Sequence, residues 1–422
     1  MQAPISVVAD TQLPAYALLL KSWKELCLGL AGVLIAVALW QSGKWQVLRR
    51  EPAVWLSVAI AGVYMATLYG FANHPAGESA ALLVTLRIYL VAALGYSAVL
   101  LWPDMRQKLL GSVAAGMAIV GVFALLQVAV LPKDILQHIG YSSATIQPYL
   151  TVDQNPDFVR INSTLRGPNP LGAMAVIGLS LIAALLVRRV LFARWQYVIG
   201  GVVATGLLVA LWSSYSRSAW LAMALVAVVL GGIVGFRTLS RRTLGLAGLV
   251  LAVVVLGGLY ALQSDFVQHV VFHTNPASPT AIKSDHEHLD SLQSGVAHTL
   301  AYPLGTGLGS VGSPSLLTDS PRIVENQYFY IAAEAGWLGL LLYLILFGYV
   351  IWRLWQCRDD ALALGVAVAG MGMAIVGLVL PVWADDTVGM TWWVLAGIAL
   401  GSIAGQSRKE NNHARTHYQK TA

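Results

Sequence analysis

The feature that most constrains this chain is a repeating series of uninterrupted apolar runs, each long enough for a helix to cross a bilayer. A helix needs about 20 apolar residues for that crossing. Such runs occur at about 25–40, 53–72, 80–102, 109–131, 170–187, 196–212, 219–235, 243–262, 327–352, 361–383 and 391–406. Only 11% of the 422 residues are charged, against about 25% in soluble domains. So few charges cannot cover a soluble surface of this size. Lipid is the matching solvent, and in lipid a backbone must satisfy its own hydrogen bonds within a helix or a closed barrel. The prediction is an all-α polytopic membrane protein with about 11–12 transmembrane helices. Residues 1–20 leave the count open. PAYALLL (14–20) runs into Lys21, Lys24 and Glu25 without a turn, so it is either a twelfth short span or an interfacial extension of the first helix. No cleaved signal peptide is expected. Cys27 and Cys357 have no metal or redox spacing.

Charge supplies the orientation. Seventeen of the 26 basic residues sit in one alternating set of connections, including Lys44, Arg49 and Arg50, Arg188 and Arg189, and Arg408 and Lys409. The positive-inside rule makes that set and the C-terminal tail cytoplasmic. The two longest non-apolar segments, 132–168 and 263–326, then fall outside. The excess of Lys and Arg thus reports topology rather than a nucleic-acid partner. The polar tail from Ser407 is expected to be disordered.

Nine basic residues break the rule: Lys21, Lys24, Arg87, Lys133, Arg160, Arg166, Arg217, Lys283 and Arg322. Arg87 lies about seven residues into a span, roughly 10 Å deep. An arginine there must pair, face a wet cavity, or snorkel to the interface. Arg217 sits in the tight hairpin WSSYSRSAWLAM (212–223), where Ser216 or Ser218 can cap the next helix but nothing local explains a guanidinium. Arg160 and Arg166 lie six apart in RINSTLRGPNPLGAM (160–174), a loop running into a helix whose N-terminus can face an anion. Arginine suits bidentate phosphate binding. Several arginines from separate outer loops point to one multiply charged group, such as a diphosphate, with ordinary lipid headgroups as the alternative.

Candidate proton-transfer groups lie in the second long segment and just beyond it. DHEHLD (285–290) resembles a metal site, yet His286 and His288 fall on different faces of a helix, so a solvated helix start is the simpler reading. His298, before the Gly-rich PLGTGLGS (303–310), can take a proton near neutral pH, or it is a packed histidine. Glu325 stands at the outer mouth of a span, as a base or as a partner of the helix dipole. Glu334, about nine residues deeper, must be paired or protonated if it faces lipid. Asp385 and Asp386 are also outer, without a His or Cys ligand beside them.

Three passages together resemble the O-antigen ligase and polymerase superfamily of bacterial envelope glycosyltransferases. RINSTLRGPNPLGA matches R-x-x-x-T-x-x-G-P-N-x-L-G, and YSRSAWLA matches S-R-x-x-W/L-L-A. PLGTGLGS followed by ENQYFYIAAEAGWLGLLLY resembles P-L-x-G-x-G-x-G-S and its [HE]-N-x-x-L-x-x-x-x-E-x-G block. The resemblance spans about residues 145–350 and is to the lipopolysaccharide ligase type. It implies a GT-C-like architecture. It also implies an inner-membrane enzyme with a periplasmic site that moves a glycan from undecaprenyl diphosphate to a hydroxyl of lipid A–core. No cofactor or metal is implied, and the reaction would invert the anomeric carbon. The family's arginines correspond to Arg160 and Arg217; Arg166 and Arg87 are added from charge placement. His298 or Glu325 would activate the acceptor, and many relatives have His where this chain has Glu325. Tyr215, Ser216, Asn169 and Asn326 would support the site.

The expected organisation is spans over 1–262 with a periplasmic loop at 132–168, a periplasmic segment 263–326, spans over 327–406, and a cytoplasmic tail 407–422. The expected partners are the lipid-linked glycan, lipid A–core and membrane lipid, with a monomeric protein and no nucleic acid. A polymerase or a protein O-oligosaccharyltransferase would use the same donor. A lipid-carrier flippase or transporter would bind the anion without needing His298 or Glu325.

Overall fold

A computed structural model describes residues 2–70, 75–152, 155–190, 193–238, 279–317 and 321–421. The described residues form thirteen α-helices and one two-stranded hairpin. The helices are α1 (Gln2–Gln12), α2 (Ala17–Gln41), α3 (Trp45–Arg49), α4 (Pro52–Gly70), α5 (Pro75–Leu101), α6 (Met105–Ala129) and α7 (Pro168–Val187). They continue as α8 (Arg194–Ser213), α9 (Arg217–Thr238), α10 (Pro279–Ala301), α11 (Gln327–Gln356), α12 (Ala361–Val376) and α13 (Asp386–Thr421). Nine of these described helices are long and apolar enough to span a membrane. The fold is therefore the all-α polytopic class expected.

Ten of the eleven apolar runs coincide with helices, and the run 243–262 lies outside the described residues. Residues 17–20 extend α2 as one continuous helix after a single 3-10 turn at Pro14–Tyr16. No twelfth span therefore forms there. The run 361–383 gives a shorter helix than expected. α12 stops at Val376, and the chain continues irregularly to Asp385. Its polar groups are met by α11: Gln327 N–H donates to Gly377 O (2.8 Å), Asn326 Nδ2 to Leu378 O (2.7 Å), and Trp383 N–H to Gln327 Oε1 (2.9 Å). Non-helical backbone is tolerated at such depth when protein satisfies it. α13 continues to Thr421, where a disordered tail was expected. Residues 407–421 hold no Gly or Pro to stop a helix already begun.

The helices alternate between two ends of the bundle. At one end Arg106 pairs with Asp360 (2.7 Å), Arg188 with Asp359 (3.0 Å), and Lys44 Nζ donates to Leu100 O (2.9 Å). These residues belong to the set read as cytoplasmic. The other end carries the 132–168 loop, the α8–α9 turn, and the N-termini of α11 and α13. α5 and α13 pack backbone to backbone. A Cβ on Gly95 would lie 2.9 Å from Val394 O, and Gly397 and Gly401, four apart, press on the carbonyls of Ala92 and Tyr96. Small residues at this spacing let membrane helices approach closely.

The 132–168 loop is more ordered than its sequence suggests. Strands β1 (Tyr149–Val152) and β2 (Asn155–Ile161) pair antiparallel, with Leu150 opposite Arg160. The chain then dips into the bundle. Ser163, in a left-handed conformation (φ 49°), donates its N–H to Gln127 Oε1 (3.0 Å) and its hydroxyl to Val120 O (2.8 Å). Val120 is nine residues inside the end of α6, roughly 13 Å along the helix.

Candidate functional site

The arginines expected to act together divide into two groups. Arg160 belongs to the first. Its Nε donates to Ser214 O (2.9 Å) in the α8–α9 turn, and another guanidinium nitrogen donates to Asn169 Oδ1 (2.7 Å) in the first turn of α7. Phe158, two residues earlier and so on the same strand face, meets the Tyr215 ring edge-on at 6.1 Å. β2 is thereby clasped to the turn by both a ring contact and an arginine. Tyr215 has φ 46°, a strained value for a residue with a side chain. Burial pushes its phenol above the ordinary pKa, which keeps it a donor. The turn is close-packed: a Cβ on Gly172 of α7 would lie 2.9 Å from Ser214 Oγ and 3.1 Å from Ser216 Cβ. Ser216 and Ser218 are buried and share a hydroxyl–hydroxyl contact of 3.2 Å. Half-buried Arg217 opens α9. The N-termini of α7 and α9 thus meet at Arg160, whose bonds to Ser214 and Asn169 are to uncharged oxygens.

Arg87 and Arg166 sit with carboxylates instead. Arg87 is buried and donates to Glu25 Oε1 (2.8 Å) and to Asp386, which Lys24 also contacts. Snorkelling does not occur, because the carboxylates come to the arginine. Arg166 is exposed, 3.7 Å from Asp385. Charge placement assigned both guanidiniums to an anion; here each faces a carboxylate. A cavity of about 370 Å³ opens here, lined by Arg166, Asp385, Asp386 and Tyr330. Burial raises the Asp385 carboxyl above its ordinary range, while Arg166 and the N–H groups of Val388 and Thr387 oppose that rise. Among the described residues no cluster of three or more His, Cys, Asp or Glu could hold a metal.

His298, on the last turn of α10, forms a third centre. Its Nδ1 faces the Arg322 guanidinium, its Nε2 lies 3.3 Å from Thr306 Oγ1, and its ring rests on Tyr302 at 4.7 Å. A guanidinium only donates. The accepting nitrogen is therefore Nδ1, and the neutral ring carries its proton on Nε2. Burial, then Arg322, lowers the His298 pKa. Glu325 is half-buried, two residues before α11. Asn326 is the N-cap of α11, its Oδ1 accepting from Tyr328 N–H (2.9 Å) and Phe329 N–H (3.0 Å). Arg322, not assigned from sequence, is the strongest polar neighbour of the histidine. A basic residue on the wrong side of the membrane was its only sequence signal. His286 and His288 lie on α10 with side chains outside the described set, and His269 and His273 lie outside the described residues.

The Gly-rich loop has a structural partner. α11 breaks at Gly336 (φ 66°, ψ −171°), and the loop fills the gap. Thr306 N–H donates to Ala333 O (2.7 Å), and Trp337 N–H donates to Pro303 O (2.9 Å). Glu334 is fully buried beside the break and accepts from Gly309 N–H (3.0 Å). The G-L-G and E-A-G-W motifs, about 30 residues apart, are thus two halves of one joint.

No curated protein matches the chain. Residues 202–344 match the family described as O-antigen ligase. That stretch, about a third of the chain, contains the α8–α9 turn, His298, the Gly-rich loop and the α11 break. Over this stretch the chain is similar to the O-antigen ligase family.

Proposed function

We propose that this protein is an O-antigen ligase of the bacterial inner membrane. It moves a glycan from undecaprenyl diphosphate to a sugar hydroxyl of lipid A–core at the periplasmic face. The observation that carries this reading is the junction at Arg160. Two helix N-termini meet there, with Arg217 opening one of them, and both features favour an anion. Arg160 and Arg217 neutralise the diphosphate as the glycosidic C–O bond breaks, which is electrostatic stabilisation of a leaving group without need of a metal. Asn169, Tyr215 and Ser216 hold Arg160 and the turn in place. His298 is the base. Arg322 swings aside, Nδ1 takes the acceptor proton, and the freed oxygen attacks the anomeric carbon from the face opposite the diphosphate, inverting it. Glu325 orients the acceptor, and Asn326 fixes the helix start beside it. Arg87 and Arg166 serve the neighbouring cavity.

Purified protein supplied with an undecaprenyl-diphosphate glycan and rough lipopolysaccharide should yield extended lipopolysaccharide, also in EDTA. Arg217→Ala should lower the rate by about 10²–10³-fold. Polymerised glycan without transfer to core would indicate a polymerase. Movement of the lipid carrier across vesicles with no glycosidic product would sink the enzyme reading.

A further inference from the structure

The cavity beside Arg166 is balanced in charge. Arg166 is matched by Asp385 (3.7 Å). Below it Arg87 and Lys24 are matched by Asp386 and Glu25. An anion entering here would gain no net attraction and would face two carboxylates. A neutral polyhydroxyl ligand suits the chemistry better. Carboxylates accept from sugar hydroxyls, guanidiniums donate to them, and the wall formed by Val84, Ile146 and Pro314 takes the apolar face of a ring. The volume, about 370 Å³, lies in the range of small-molecule sites, about 300–1,000 Å³.

Tyr330 also lines the cavity and is 4% exposed. Its hydroxyl lies beside the buried Glu334 carboxyl, and a phenol that donates to one oxygen can still accept from another hydroxyl. Ser313 and Pro314, which follow the Gly-rich loop, also line this wall. The joint at Gly336 therefore ties the His298 region to the cavity.

We propose that Asp385, Arg166 and Tyr330 form a saccharide subsite that holds one sugar unit of a substrate glycan beside the diphosphate site. The ligand chemistry is that of a neutral sugar ring bearing free hydroxyls, from either the donor glycan or the core acceptor. This rests on the glycosyl-transfer reading above and deepens it.

Two variants test the subsite with little structural disturbance. Tyr330→Phe removes only the hydroxyl at this wall. Asp385→Asn keeps the Oδ1 acceptor that caps Thr387 N–H (3.1 Å) and Val388 N–H (3.2 Å). Saturation-transfer NMR on the detergent-solubilised full chain would use three probes: the carrier-free O-unit oligosaccharide, the core oligosaccharide freed of lipid A, and pyrophosphate. Each variant should weaken one oligosaccharide by about tenfold and leave pyrophosphate unchanged, as expected for one or two lost hydrogen bonds. Arg217→Ala should do the reverse. The oligosaccharide affected names the source. If both variants bind both oligosaccharides as the wild type does, or if the wild type binds neither while still forming ligated product, the subsite is wrong and the ligase reading stands. If the wild type forms no glycosidic product, the ligase reading is what fails.

Discussion

His298 is set up to be neutral at the pH where it would work. Burial and Arg322 both lower its pKa from the ordinary 6.5. The sign follows directly. The base form persists to lower pH than for a free histidine, so the acid limb of kcat/KM should fall below pH 6.5. Stability has the same direction. The fold prefers the neutral ring, so it loses stability as pH drops through the unfolded value of about 6.5. Arg322→Gln removes the electrostatic cause and leaves burial, so the acid limb should move to higher pH. A pH–rate profile of the two proteins checks this, and an unmoved limb would remove His298 as the titrating base. At this scale the sequence singled out unusual residues but not what they touch. Arg87 stood out as a buried cation, but its partners lie 62 residues before it and 299 after it. No local pattern encodes such pairings. The cations that face Asp385 and Asp386 were invisible for the same reason.

Helices were legible as elements because each apolar run must satisfy its own backbone in lipid. Irregular elements were not, because their hydrogen bonds are made elsewhere. The dip at Ser163 depends on Val120 O and Gln127 Oε1, and the chain after α12 depends on Asn326 and Gln327. The joint in α11 is the clearest case. Gly336 requires positive φ, and an added Cβ would lie 2.5 Å from Pro303 O; a Cβ on Gly305 would lie 2.7 Å from Gly336 N. Gly336→Ala should therefore release the Gly-rich loop, lower thermal stability by about 1–3 kcal/mol, and expose the 303–312 loop to protease. Thermal unfolding in detergent and limited proteolysis read both effects. An unchanged melting temperature would mean that the loop is not held by this joint.

For the whole molecule, the alternation of charged ends gives a directional prediction. The proposed orientation puts the exposed loop residue Ser143 in the periplasm and Cys357 in the cytoplasm. In cells with a permeabilised outer membrane, an impermeant maleimide should label Ser143→Cys in a background lacking Cys27 and Cys357. It should leave Cys357, as the sole thiol, unlabelled until the inner membrane is opened. The reverse pattern would invert every assignment of side.

The contact between α5 and α13 also carries a consequence for how the chain is made. Arg87 enters the membrane early, and Asp386 follows 299 residues later. At about 5–20 residues per second, that interval lasts about 15–60 s. Glu25, already synthesised, is the counter-ion on hand throughout. The cavity lacks its two aspartates until the last helix arrives, so a nascent chain holds the arginines of the site before it holds the pocket beside them. On the proposed reading, a ribosome that stops short of α13 leaves a chain that holds Arg160 and Arg217 but not the aspartates of the pocket at their side.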